Sequence, residues 1–198
     1  MTSAAATTVA ISLGRTEPRR VGLNPTALRY RRGEPGDRLA RPERGGTVET
    51  ITVERAEGVV SAGNTGALLA LAKIVIKTLP GIDRPAMAAI CPSARGDVVM
   101  LDLGANVQCD VRNLVEFAVM GDVFARTVLG LTNPTIGLLN VGTEELKGDD
   151  RIRLAAETLR ASHVASQFHG FVEGHDIAAG TTDVIVTDGF TGNVALKT

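Results

Sequence analysis

The chain has no tryptophan, one tyrosine and five phenylalanines, so aromatic residues make up only 3% of its 198 positions. With 44% hydrophobic residues, its core must be aliphatic and rich in Ala and Gly. That composition suits an α/β protein and argues against an aromatic-rich β-sandwich. There are two cysteines, Cys91 and Cys109, and neither stands in a Cys-x-x-Cys pair. A disulfide framework and a zinc site are therefore not expected, and a reducing cytoplasm fits. His163, His169 and His175 show no metal-ligand spacing. No run of eighteen apolar residues exists, which excludes a membrane span of the usual kind. The opening Met1–Leu13 lacks both a cationic start and a strong apolar stretch, so no secretory signal is expected.

Nucleotide fingerprints are missing too. No Gly-x-Gly-x-x-Gly follows an apolar run, and Gly192-Asn-Val-Ala-Leu-Lys197-Thr198 has Leu where a phosphate-binding loop needs its second Gly. Net charge is −1, but it is unevenly spread. Residues 1–47 carry nine Arg, no Lys and four acids, whereas 48–198 carry twelve basic and eighteen acidic residues. The first segment is rich in Arg, Pro and Gly without apolar periodicity, which predicts a disordered or unrelated leader. Without Lys or interleaved aromatics, it is not read as a nucleic-acid arm. A globular α/β domain is expected over 48–198.

Within that domain, four stretches share one plan: a short apolar run, then a Gly-rich polar loop. They are Gly58–Gly66, Val98–Asn106, Thr135–Gly142 and Asp183–Asn193. Buried parallel strands read as such runs, and ligands gather beyond their carboxyl ends. Where a loop leads into a helix, free N–H groups and the helix dipole favour an anion. A negatively charged small ligand is therefore expected.

Apolar positions from Leu68 to Leu79 recur with helical spacing, leaving Lys73 and Lys77 off the stripe. Ala86–Cys91 and Val98–Leu103 read as a hairpin with a six-residue polar tip. Residues 110–129 read as a helix apolar on most sides, with a narrow polar strip at Arg112, Glu116 and Arg126, hence buried or in a subunit interface. A helix is expected at about 149–161, with strands at Phe168–Val172 and Asp183–Thr187, and a last helix following Asn193.

The sharpest local signal is Ser61-Ala-Gly-Asn-Thr-Gly66. Gly63 and Gly66 let backbone approach an anion, while Ser61, Asn64 and Thr65 add donors; a simple capped turn explains the pattern equally well. Asp188-Gly189-Phe-Thr-Gly-Asn193 is a second tight turn, whose Asn193 can orient a carbonyl or phosphate or cap the next helix. Lys147 sits in a Gly-bounded turn just past a strand end. Cys91 and Cys109 lack a histidine partner and read as small buried residues. The spacing of Asp102 and Asp110 gives no reason to pair them.

Six blocks taken together carry a resemblance: Val59–Ala67, Lys77–Ala86, Leu101–Asn106, Phe117–Gly121, Gly137–Glu145 and Asp188–Thr198. In this order they resemble the PlsX family of bacterial phosphate acyltransferases. The resemblance implies a three-layer, mostly parallel sheet similar to the isocitrate/isopropylmalate dehydrogenase-like fold. It implies acyl transfer from acyl-carrier protein to inorganic phosphate, giving acyl phosphate for phospholipid synthesis. It further implies a homodimer peripheral to the inner membrane, no metal and no organic cofactor.

On that reading the Ser61–Gly66 loop and Arg84 would hold phosphate, with Asp188 and Gly189 bordering the substrate. Asn193 would serve the oxyanion, and Lys147 would offset charge or protonate the leaving thiolate. Lys73, Lys77 and Arg84 could face the acidic carrier, although the two lysines read first as a solvated helix face. A phosphate acetyltransferase acting on coenzyme A is the alternative, as is an inactive fragment. Residues 1–56 contain nothing like the family's opening Gly-rich block, and the family continues past Thr198. An unrelated or out-of-frame leader and a longer natural protein are therefore expected.

Overall fold

A computed structural model describes residues 20–22, 27–30, 50–52, 58–61, 69, 70, 73 and 78–198. It separates into two compact units, Met1–Gly81 and Ile82–Thr198. In the first unit, β1 (Arg20–Gly22) pairs antiparallel with β3 (Thr50–Thr52), and β2 (Ala27–Tyr30) pairs antiparallel with β4 (Gly58–Ser61). The apolar run at Gly58–Ser61 is thus a strand, but its partner is antiparallel rather than a member of a parallel sheet. An apolar run encodes burial, not the identity of the neighbour that buries it. The helix expected over 68–79 falls mostly outside the described residues.

The second unit holds a five-stranded sheet in the order β5-β6-β9-β7-β8. Its strands are β5 (Ala88–Ser93), β6 (Gly96–Leu101), β7 (Ile136–Leu139), β8 (Phe168–Val172) and β9 (Val184–Val186). β6, β9, β7 and β8 run parallel, and β5 joins antiparallel at the edge. The sheet is therefore mostly parallel, as the apolar runs predict. The hairpin of β5 and β6 is longer than expected, pairing through Pro92↔Asp97 and Ser93↔Gly96 and leaving a two-residue turn. Proline is tolerated there because β5 is an edge strand.

In this unit four helices follow from capped segments: α1 (Val111–Val128), α2 (Asp150–Arg160), α3 (Gly174–Ala179) and α4 (Gly189–Lys197). At the start of α1, Asp110 accepts the Asn113 N–H at 2.8 Å, and Asn113 Oδ1 accepts the Asp110 N–H at 3.2 Å. This reciprocal cap ties off two otherwise orphan donors. Helix α1 lies over β6, β7 and β9 and also packs on α2. Phe117, Ala118, Ala125, Ile136, Leu138, Ala155, Leu159 and Val184 share the core between these layers.

The expected polar strip on α1 is divided: Arg112 and Arg126 are exposed, whereas Glu116 is not. Glu116 is buried, accepting the Asp83 N–H at 2.8 Å and Arg112 Nε at 2.6 Å. Asp122 is buried as well, taking Arg126 Nε and Gln167 Nε2. Conversely, Val123 and Val128 are 56% and 54% exposed. Buried carboxylates are tolerated because each finds donors from other elements, which a single-helix pattern cannot reveal.

Candidate active site

Because four strands are parallel, the loops leaving β6, β9, β7 and β8 emerge on one edge of the sheet. After β6 the chain turns at Asp102, a fully buried carboxylate. Its Oδ1 accepts the N–H groups of Met87 (3.0 Å), Gly104 (3.2 Å) and Ala105 (3.0 Å). Its Oδ2 accepts Asn106 N–H at 2.7 Å and Asn106 Nδ2 at 2.8 Å. Five donors satisfy a charge that would otherwise be very costly to bury.

The loop after β9 rests on this one. The Asp102 N–H donates to Thr187 O (2.9 Å), Thr187 N–H to Leu101 O (2.6 Å), and Gly189 N–H to Asn106 O (2.8 Å). Glycine is required at the contact points: a Cβ on Gly189 would stand 2.6 Å from Asn106 O, and one on Gly192 would run into the Asp102 carbonyl. The last helix starts at Gly189, four residues earlier than Asn193. Asp188 caps it by accepting Thr191 N–H and Oγ1, both at 2.9 Å. Asn193 is consequently not a cap. It lies inside α4, with Nδ2 turned back toward Leu103 O at 3.3 Å.

Cys109, Arg84 and Arg151 meet at the same corner. Arg84 Nη1 reaches Gln108 O at 3.3 Å, and its Nε contacts Asp83 at 3.2 Å. Arg151 Nη1 donates to Cys109 O at 2.9 Å while its other nitrogens grip Asp149. Burial, reinforced by the carboxylates of Asp102 and Asp188, pushes the Cys109 thiol up to about 11. The thiol is therefore protonated at neutral pH and unsuited to nucleophilic attack. Cys109, Leu138, Arg151, Thr187 and Asp188 line a cavity of about 20 Å³, room for about one water molecule.

Beyond β7, Asn140 Nδ2 donates to Gly142 O and Lys147 O, both at 3.1 Å, and so closes the loop that carries Lys147. The Lys147 ammonium pairs with Glu144 at 2.8 Å and is half exposed. Its hydrogen bond to Glu144, then the charge of Glu144 and more distantly of Glu173, hold it above the ordinary lysine range.

The structure thus gathers Arg84, Asp188, Gly189 and Asn193 around the 102–109 loop. Lys147 lies on the exit of β7, the strand next to β9. The backbone of Ser61 ends β4; Gly63, Asn64, Thr65 and Gly66 lie outside the described residues. Asp102 and Asp110 do not form a carboxylate pair, because each is committed to its own set of N–H donors. Asp102, Asn106 and Arg151 were not singled out for a role by sequence. An Asp followed by Gly and Asn directly after an apolar run was the available signal for the first two, whereas Arg151 gave none. Among the described residues, no cluster of three or more His, Cys, Asp or Glu could hold a metal. No described helix is long and apolar enough to cross a membrane.

A family model described as "Fatty acid synthesis protein" matches residues 45–198. The chain is 78% identical over 151 residues to a phosphate acyltransferase of Granulibacter bethesdensis, covering 76% of this chain and 41% of that protein. It is 74% identical over 151 residues to a phosphate acyltransferase of Gluconobacter oxydans, with the same coverage. The chain thus spans about two fifths of the length of these curated relatives. Among solved structures, the EutD phosphotransacetylase from Staphylococcus aureus matches with a TM-score of 0.52 and 18% identity, over 69% of this chain and 47% of that one. At that identity the likeness concerns the fold alone.

Proposed function

The chain belongs to the fatty acid synthesis protein family, and from that membership we propose that its protein is a phosphate acyltransferase using acyl-acyl-carrier protein. A phosphate oxygen attacks the thioester carbonyl carbon, the C–O bond forms, the C–S bond breaks, and the carrier thiolate takes up a proton. The products are acyl phosphate and free carrier thiol, the former an acyl donor for phospholipid synthesis. The observation that carries this reading is 78% identity over 151 residues to a protein named phosphate acyltransferase, together with the family match over residues 45–198, which contain every rim loop described above.

Such a reaction needs no covalent enzyme intermediate, so positioning and electrostatics do the work. In this reading Ser61, Gly63, Asn64, Thr65 and Gly66 seat the phosphate dianion, and Arg84 assists. Arg84 is half exposed, and its described contacts, to Asp83 at 3.2 Å and Gln108 O at 3.3 Å, lie at the surface, so its guanidinium is able to re-aim at an anion. Gly189 has its N–H committed to Asn106, and Asp188 has its carboxylate committed to α4. Their role is therefore to border the substrate rather than donate to it. Asn193 supplies the oxyanion donor by exchanging its long bond to Leu103 for the developing charge. The raised Lys147 favours charge compensation over proton donation, because a more basic ammonium is a poorer acid.

We read the sheet as part of a three-layer isocitrate/isopropylmalate dehydrogenase-like arrangement, and residues 1–47 as a leader outside the enzyme domain. The family match beginning at residue 45 supports the second point. We also propose a cytoplasmic homodimer peripheral to the membrane; exposed Val123 and Val128 on α1 favour a protein contact there.

The test is release of carrier thiol from an acyl-acyl-carrier protein, dependent on added phosphate, with acetyl-coenzyme A in a parallel reaction. Phosphate-dependent release from the carrier is expected. In the same assay Lys147→Ala and Asn193→Ala should each lower turnover about 100-fold or more while melting normally. Release only from acetyl-coenzyme A, or none from either donor, would overturn the assignment.

A further inference from the structure

Asp102 takes five N–H donors yet has no part in the reaction as written, and its surroundings are those of a template. The carboxylate fixes Asn106 through both the backbone and the side chain, and Asn106 Nδ2 also reaches Pro85 O at 2.8 Å. The Asn106 carbonyl, held in this way, receives the Gly189 N–H at the first residue of α4. One turn on, Gly192 sits on the Asp102 carbonyl, while Gly104 leaves room for Asn193, whose Nδ2 would lie 2.6 Å from a Cβ at that position. Three consecutive contacts of α4 are therefore made to a loop that one buried carboxylate shapes.

We propose that Asp102 is a positioning residue: through Asn106 and the 102–106 loop it sets the seat of α4, and thereby the aim of Asn193. This rests on the functional reading above for its consequence in turnover, and on geometry alone for the seating. Both carboxylate oxygens serve these five N–H groups purely as acceptors. In Asp102→Asn, the amide places N–H groups opposite Asn106 N–H and Nδ2, so donors face donors and the Asn106 carbonyl is released. A displacement of about 1 Å at a reacting group is enough to reduce turnover about 100-fold.

The experiment uses Asp102→Asn, Asn193→Ala and the double variant in the full chain. Amide hydrogen exchange and phosphate-dependent thiol release are measured on each. Exchange in a peptide spanning 187–195 should quicken by about tenfold in Asp102→Asn, while a peptide within α2 keeps its wild-type rate. Turnover should fall about 100-fold, with the KM for phosphate changed less than about threefold. The double variant should be no worse than Asn193→Ala within about threefold, because both substitutions remove the same effect.

If Asp102→Asn does not fold, Asn106→Ala removes one of the five donors and should show the same local quickening at a smaller amplitude. Unchanged exchange at 187–195, or quickening spread evenly over 82–198, would overturn the proposal. So would a double variant whose losses multiply. If exchange quickens locally but the wild type releases no thiol with phosphate, the functional reading fails and the seating of α4 by Asp102 stands.

Discussion

Replacing Gly192 with alanine sets two effects of opposite sign against each other. Gly192 lies within α4 and has no left-handed backbone angle. On helix propensity alone, alanine there would stabilise by about 1 kcal/mol. Packing opposes it. The new Cβ would meet the Asp102 carbonyl oxygen, and stand 3.0 Å from Asp102 C and 2.9 Å from Thr187 Cγ2. Comfortable carbon–carbon separation is about 3.5 Å or more, and the carbonyl oxygen stands closer still, so α4 must withdraw by about 1 Å or more. Asp102 cannot yield instead, because its N–H is bonded to Thr187 O and its carboxylate to five donors. Overpacking against rigid neighbours costs about 1–3 kcal/mol, and with backbone as the neighbour the upper half applies. The net expectation is a loss of about 1–2 kcal/mol. Urea unfolding followed by far-ultraviolet circular dichroism measures it. Gly174→Ala is the control: it opens α3, has nothing within 4 Å of the new Cβ, and should change stability by less than about 0.5 kcal/mol. A Gly192→Ala protein as stable as wild type, or more so, would refute the claim that this contact is tight.

Two further outcomes follow from the charges at the rim. With its thiol raised to about 11, Cys109 should react with iodoacetamide at pH 8 about 100-fold more slowly than an unperturbed cysteine, from ionisation alone. Labelling of its peptide at equal rates in native and urea-unfolded protein would contradict this. Asp149 is lowered to about 2, first by its side-chain bond to Arg151 and then by the Arg151 N–H. Its stabilisation is therefore complete above the ordinary carboxylate value near 4, and is lost as pH falls through 2. Asparagine keeps the helix cap, so the stability gap between wild type and Asp149→Asn should be constant above about pH 5 and close between about pH 4 and 2. Added salt should narrow it, since both partners are well exposed. A gap that persists at about pH 2 would exclude the ion pair as its source.

Local signals in the chain were strong where the physics is local. The helices expected over 110–129 and at about 149–161 are present as α1 and α2, whose starts are fixed by Asp110 and Asp149, because a cap is a contact between residues two or three apart. The runs at Val98, Thr135, Phe168 and Asp183 give β6, β7, β8 and β9 to within a residue or two. The start of α4 was displaced, however. Both Asp188 and Asn193 are competent caps, and only the packing of Gly189 and Gly192 onto the β6 exit selects the first. The buried carboxylates Glu116 and Asp122 were likewise illegible, because their donors Asp83 and Gln167 come from distant segments. Among the rim residues, Arg84 and Asn193 were visible by chemical type. The template function of Asp102 was not, since none of its contacts to α4 is made within its own stretch of chain.

Composition and periodicity determined an aliphatic α/β protein with a mostly parallel sheet and Gly-rich loops beyond its strands. Those properties follow from hydrophobic spacing and capping, which act over a few residues. Tertiary structure alone decided that β9 lies between β6 and β7, which brings residues 187–193 onto residues 102–106. Strand order depends on how separate apolar faces are shared out, a choice made by the whole core at once and written in no single segment.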